Sequence, residues 1–201
     1  MPLEPGETAE SLEARITAPD DVATLAGLPV EAFGVFGELP PGVDPAPVVA
    51  ELRRAGFNAK LRTGGVTADA FPTAAWIVRA MRACIDAGVP FKATAGLHHP
   101  IRGPYRLTYA EAAPTGAMYG YVNVFLAAAF LRQGMMEEDA TTLLTEQDAA
   151  AIRFLPGGVR WRDHTISSDA IHDARERVAT SFGSCSFREP VDELRELVSL
   201  A

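Results

Sequence analysis

Apolar positions along this chain alternate between two periods. Short runs with a period near 2 read as strands, and longer stretches with apolar residues at helical spacing separate them. Ala32 to Leu39 reads as a first buried strand, broken by Pro40-Pro41-Gly42. Pro45 to Ala55 follows as a helix, with Pro at its start, apolar residues at 48, 49 and 52, and Gly56 at its end. Asn58 to Thr63 is a second strand. Pro72 to Ala87 is a second helix of this series, with Trp76, Ile77, Met81, Cys84 and Ile85 on a helical repeat and Gly88 closing it. Phe91 to Leu97 is the third strand. Residues 100–116 carry Pro and Gly and read as a loop, and Met118 to Arg132 as an apolar helix ended by Gly134.

Beyond this point the rhythm changes. Glu137 to Ile152 reads as a helix. Arg153 to Trp161 reads as a hairpin turning at Gly157-Gly158. Ser167-Ser168-Asp169 caps a helix running to about Ala179, Phe182 to Phe187 is a last strand, and Pro190 to Leu200 is a closing helix. Asp20-Asp21 starts a capped helix near the N-terminus, and residues 1–18 read as flexible. The expectation is a single α/β domain over 1–201 made of four repeated βα units. Its sheet is parallel and resembles a partial, half TIM barrel, with a helix and hairpin insertion at 137–166 before the last strand. An open sheet, a half barrel completed by a second copy, and a piece of a longer barrel all fit that count.

Composition narrows the function classes. A net charge of -8 argues against a partner that presents a phosphate backbone, so no nucleic acid is expected. The longest apolar run, Val122 to Leu131, contains Asn123 and is too short for a bilayer, so no membrane partner is expected. The N-terminus lacks an apolar signal segment, which suits a cytoplasmic protein. The two cysteines, Cys84 and Cys185, form no CxxC pair, and the four histidines show no zinc-site spacing, so neither a metal nor another cofactor is expected.

Chemistry concentrates at the ends of the second and third strands. Lys60 and Lys92 are the only two lysines among 18 Lys and Arg, and both sit on apolar strands that run into glycine. Burial disfavours an ammonium, and a neighbouring cation disfavours it further. A lysine so placed becomes an amine able to attack a carbonyl. The plainer alternative pairs each lysine with a carboxylate. Glu38, the one acid on the first strand, is the candidate lysine partner or general base. Arg62 faces the same way as Lys60, and Thr63-Gly64-Gly65 could admit an anion to backbone N–H groups, as could Gly183-Ser184. Thr94 lies two residues beyond Lys92. His98 and His99 follow, with His98 the candidate proton carrier and His99 a candidate substrate contact. Asn123, near the start of an apolar helix, either binds a ligand oxygen or caps a loop.

The segments Lys60-Leu61-Arg62-Thr63-Gly64-Gly65, Pro90 through Pro100 (PFKATAGLHHP) and Ser181-Phe182-Gly183-Ser184-Cys185-Ser186-Phe187 resemble a family of bacterial proteins to which no reaction is assigned. The likeness runs over most of the chain from about residue 30. Members of that family are longer at the N-terminus, and this chain is similar to their C-terminal two-thirds, which implies four strands rather than eight. A weaker resemblance runs to class I aldolases of the deoxyribose-phosphate aldolase kind. Lys92-Ala93-Thr94-Ala95-Gly96 matches their Lys-x-Thr-x-Gly strand, and Lys60 to Gly65 is one residue off their Lys-x-x-Gly-Gly strand, with the two strands in reversed order. That likeness implies a Schiff-base lysine at Lys92 and a carbon–carbon lyase acting on a small anionic carbonyl metabolite. A non-catalytic small-anion-binding or scaffold subunit is the alternative. The open edges of a half barrel suggest a homo-oligomer.

Overall fold

The structure, a computed structural model, describes residues 10–30 and 33–199. Five parallel strands form one sheet: β1 (Ser11–Arg15), β2 (Gly34–Glu38), β3 (Asn58–Arg62), β4 (Phe91–Thr94) and the last strand, β10 (Ala179–Phe182). Their spatial order is β1-β2-β3-β4-β10, so each strand lies beside its predecessor in the sheet. Helices α1 (Pro19–Ala26), α2 (Ala46–Ala55) and α3 (Ala74–Ala87) connect the first four strands. Right-handed crossovers between sequential neighbours put these helices on one face. This is a partial βα repeat, and the sheet does not close into a barrel among the described residues.

The two sheet faces differ as that layering requires. Val35, Ala59, Leu61, Phe91, Ala93 and Ala179 are buried toward the helices. Gly37 also faces them. A methyl group there would come within 2.7 Å of Leu52 of α2, so glycine is what lets that helix lie close. The opposite face carries Glu13, Phe36, Lys60, Arg62, Lys92 and Thr94, alternating with the buried set.

The terminus read as flexible contributes a strand. β1 pairs with β2 from Ser11↔Gly34 to Arg15↔Glu38, which corrects that reading for residues 11–15 and raises the strand count to five. Its signal is weak because only Leu12 and Ala14 are apolar in Ser-Leu-Glu-Ala-Arg, and Ala, Glu and Arg are poor strand formers. Ala32, assigned to the first strand from sequence, and Leu200, assigned to the last helix, lie outside the described residues. The expected loop at 100–116 contains a hairpin, β5 (Gly103–Arg106) and β6 (Thr115–Met118).

The insertion holds α5 (Glu137–Leu144), shorter than expected, and a three-stranded antiparallel sheet. Its strands are β7 (Ile152–Leu155), β8 (Gly158–Trp161) and β9 (His164–Ser167), with the first turn where Gly157-Gly158 placed it. Helix α6 (Ser168–Arg177) is capped by the Ser167 hydroxyl, which accepts from the Ala170 N–H. The last strand ends at Phe182, where it was expected to begin, and α7 (Arg188–Ser199) follows.

Helix α4 (Tyr121–Arg132) is apolar on nearly every side, and Val124, Ala127, Ala128, Ala129 and Leu131 are all buried. Such a helix belongs in the middle of a fold. It packs against α3, α5 and α6. Among the described residues no helix is long and apolar enough to cross a membrane.

Candidate functional site

Strand register sets the first cluster. On the face opposite the helices, Arg15, Glu38, Lys60, Lys92 and Ser181 fall on one row across all five strands. Arg62 and Thr94 form the next rung toward the strand ends. Glu13, Phe36 and Asn58 form the rung behind. Lys60, Lys92 and Glu38 are therefore neighbours on one surface of the sheet.

The lysines are shielded, each with a side chain only 14% exposed, and they are linked by a residue the sequence reading missed. Glu13 reaches Lys60 Nζ at 2.6 Å through one carboxylate oxygen and Lys92 Nζ through the other. Lys60 also lies 2.8 Å from Glu38, whose other oxygen is 3.7 Å from the Arg15 guanidinium. Lys92 sits 4.1 Å above the centre of the Phe36 ring, a cation–π contact. Burial pulls the Lys60 ammonium down, but the hydrogen bonds it donates to Glu13 and Glu38 outweigh that and hold its pKa above the ordinary lysine value. Hydrogen bonds from Lys60 and Lys92 hold the Glu13 carboxylate below its ordinary range. Glu38 is thus a lysine partner here.

Arg62 differs from its neighbours. Among the described residues it has no carboxylate partner, whereas Arg15 and Lys92 each have one and Lys60 has two. It lines a cleft of about 410 Å³ at the strand ends, together with Arg15, Thr17, Glu38, Asp69 and Phe71. Asp69 is engaged locally, its carboxylate stabilised first by the Thr67 hydroxyl and then by its own backbone N–H.

Gly64 and Gly65 serve packing. A methyl group on Gly64 would lie 2.5 Å from the Phe71 ring, and one on Gly65 would lie 2.6 Å from the Ala70 Cβ. Close approach of the 68–71 segment explains both glycines without an anion. Thr63 is buried, and its hydroxyl donates toward the Thr94 and Ala95 carbonyls at 3.1 and 2.7 Å. That bond holds the turn after β4, where Ala95 takes a left-handed φ of 65°. Among the described residues the buried Thr94 hydroxyl has no hydrogen-bond partner.

The second cluster lies over β4 and β10. His98 Nδ1 is 3.0 Å from Ser184 Oγ. Burial is the main influence on His98 and lowers its pKa, favouring neutral imidazole. His99 turns elsewhere, toward Glu193 at 2.9 Å, and stacks on Tyr105. Asn123 is fully engaged within the fold. It is fully buried, its amide donates to the Leu143 and Glu146 carbonyls at 2.9 and 3.0 Å, and its oxygen accepts from the Arg102 N–H at 2.9 Å. It ties α4 to the end of α5 and to the 100–102 loop, so the loop-holding alternative is the one realised.

Comparison with protein-family models, with curated proteins and with solved structures gives no match.

Proposed function

We propose that this protein binds a small anionic metabolite at the C-terminal ends of its parallel strands, with Arg62 as the anchor. The observation that carries this reading is a cation with no carboxylate partner among the described residues, set at the mouth of a cleft above a row of paired charges. A guanidinium presents a planar donor fork suited to carboxylate or phosphate. The adjoining Arg15 side chain, 77% exposed and loosely held at 3.7 Å from Glu38, is free to swing toward the same anion.

A second reading adds chemistry to that site. Lys92 meets one carboxylate where Lys60 meets two. Arg62 lies about 6.6 Å along the strand from the Lys60 row, and Lys92 is one strand, about 4.8 Å, across. A three- or four-carbon keto acid or aldehyde phosphate held by Arg62 spans that gap. Lys92 would pass a proton to Glu13 and attack the carbonyl carbon; the carbinolamine hydroxyl, taking that proton back from Glu13, would leave as water and give an iminium for carbon–carbon cleavage. Lys60, kept as an ammonium, would stabilise developing negative charge and would not be the nucleophile.

The test has two arms. Calorimetric titration with pyruvate and with glyceraldehyde 3-phosphate should show binding that weakens about tenfold or more in Arg62→Gln, the scale of losing one charge-assisted bidentate contact. Unchanged affinity in that variant would sink the binding reading. Borohydride reduction of the same mixtures, followed by peptide mapping, should place an adduct on Lys92; binding without any adduct removes the lyase reading alone.

A further inference from the structure

Glu189 and Glu193 stand four residues apart on α7 and rise from one side of it. His99 reaches them from the loop after β4. One donor atom from each of the three lies within 4.8 Å of the others. Among the described residues neither glutamate is ion-paired to a lysine or arginine; His99 pairs with Glu193, and His98 and Arg106 line the same cavity as Glu189. Two carboxylates brought together without a compensating charge repel, unless a cation or a proton is shared between them.

The ligand set is also held in place. The His99 ring stacks on Tyr105 with centroids 3.5 Å apart and planes 15° from parallel, and the Tyr105 hydroxyl donates to the Ile101 carbonyl at 2.9 Å. Its Nδ1 points at both Glu193 oxygens at 2.9 Å. The Tyr109 hydroxyl donates to Glu189 Oε2 at 2.8 Å, the kind of outer hydrogen bond that orients a ligating carboxylate. A cavity of about 290 Å³ opens beside His99 and Glu189, and its walls include His98, Tyr105, Arg106 and Tyr109.

We propose that His99, Glu189 and Glu193 form a binding site for a divalent first-row transition-metal ion such as Zn²⁺, with an exchangeable position open to the cavity beside His98. One imidazole and two carboxylates suit such an ion better than Ca²⁺ or Mg²⁺, which prefer oxygen throughout. Three protein ligands with a free fourth position is the arrangement of a catalytic rather than a structural zinc site. Bonds near 2 Å in a tetrahedron need donor atoms roughly 3.3 Å apart, so small rotations of the two carboxylates close the group. Binding breaks the Nδ1–Glu193 contact, directs the Nδ1 lone pair to the metal and releases any proton shared there to solvent. The open position takes an oxygen donor from water, a carboxylate or a carbonyl. This site does not rest on the Arg62 reading, since no residue is common to both.

The experiment titrates Zn²⁺ into chelator-treated full-length protein in competition with a chromophoric chelator, and records the Co²⁺ visible spectrum in parallel. One equivalent should bind, with a Co²⁺ band of four- or five-coordinate intensity. Glu193→Gln, Glu189→Gln and His99→Asn should each weaken binding by more than about tenfold, at least the effect of losing an outer-layer contact. His172→Asn, which removes the exposed helical His172–Glu176 pair, should leave it unchanged. Absence of binding, binding indifferent to both glutamine variants, or binding abolished by His172→Asn overturns the proposal. If His99→Asn fails to fold, the near-isosteric glutamine variants and the wild-type Co²⁺ spectrum decide it.

Discussion

Burial is the largest single influence on Lys60 and acts to neutralise it, yet two carboxylates reverse the outcome. Its raised pKa stabilises the fold fully below the ordinary lysine value of 10.5, and that contribution is lost as pH rises through the raised value. Glu13 works at the other end. Its lowered pKa stabilises the fold above the ordinary glutamate value of 4.5 and ceases to do so as pH falls through the lowered value. Tyr121 and Cys84, both pushed up to about 12 mainly by burial, share the alkaline decline, so the wild-type curve alone does not isolate the lysine. The stability difference between wild type and Lys60→Met does. It should be about 2 kcal/mol across the neutral range, the scale of a hydrogen bond to a charged group, and should shrink both below pH 4.5 and above pH 10.5. Urea midpoints measured across pH read this directly. A difference independent of pH would mean that Lys60 acts by packing alone.

Elements place these residues, and Gly120 shows how tightly. It caps α4 with extended backbone, and a methyl group there would sit 2.3 Å from the Pro100 carbonyl oxygen and 2.4 Å from Asn123 Oδ1. Neither the backbone of the histidine loop nor the buried amide has room to yield. Gly120→Ala should therefore cost about 3 kcal/mol, at the upper end of overpacking, and Gly157→Ala, where a methyl meets nothing, should cost far less. Thermal melts of the two variants compare them, and equal losses would show that the Pro100 loop is free to move. The same level explains what sequence made legible. Helices α2 and α3 announce themselves through apolar spacing and left-handed glycines at 56 and 88, and β3 and β4 through alternation around their lysines. Glu13 stayed hidden because β1 gains its strand character from β2 rather than from its own side chains. Glu189 and Glu193 stayed hidden because a helical pair of acids looks like any solvated face until tertiary contact brings His99 to it.

At the scale of the molecule, β1 and β10 are the edges of the parallel sheet, and pairing with a second copy along them is the proposal that the half-barrel likeness leaves open. Within one chain the question is whether the insertion is a separate unit. Trp76 belongs to α3, beside the parallel sheet; Trp161 belongs to β8, in the antiparallel one. Both are buried, and both fall in a single hydrophobic cluster that also contains Val124, Leu126 and Phe130 of α4 and Ile152 and Ile166 of the insertion. Because that cluster is continuous among the described residues, loosening the insertion uncovers apolar surface that α4 shares with it. One cooperative transition is the expected consequence. In Trp76→Phe the remaining indole reports the insertion, and in Trp161→Phe it reports the βα layer. Within each variant, urea unfolding followed by fluorescence should coincide with unfolding followed by far-ultraviolet circular dichroism, even though the two variants differ in midpoint. If Trp161 fluorescence changes at lower urea than the dichroism in Trp76→Phe, the insertion unfolds on its own, and the shared apolar cluster does not couple the two sheets.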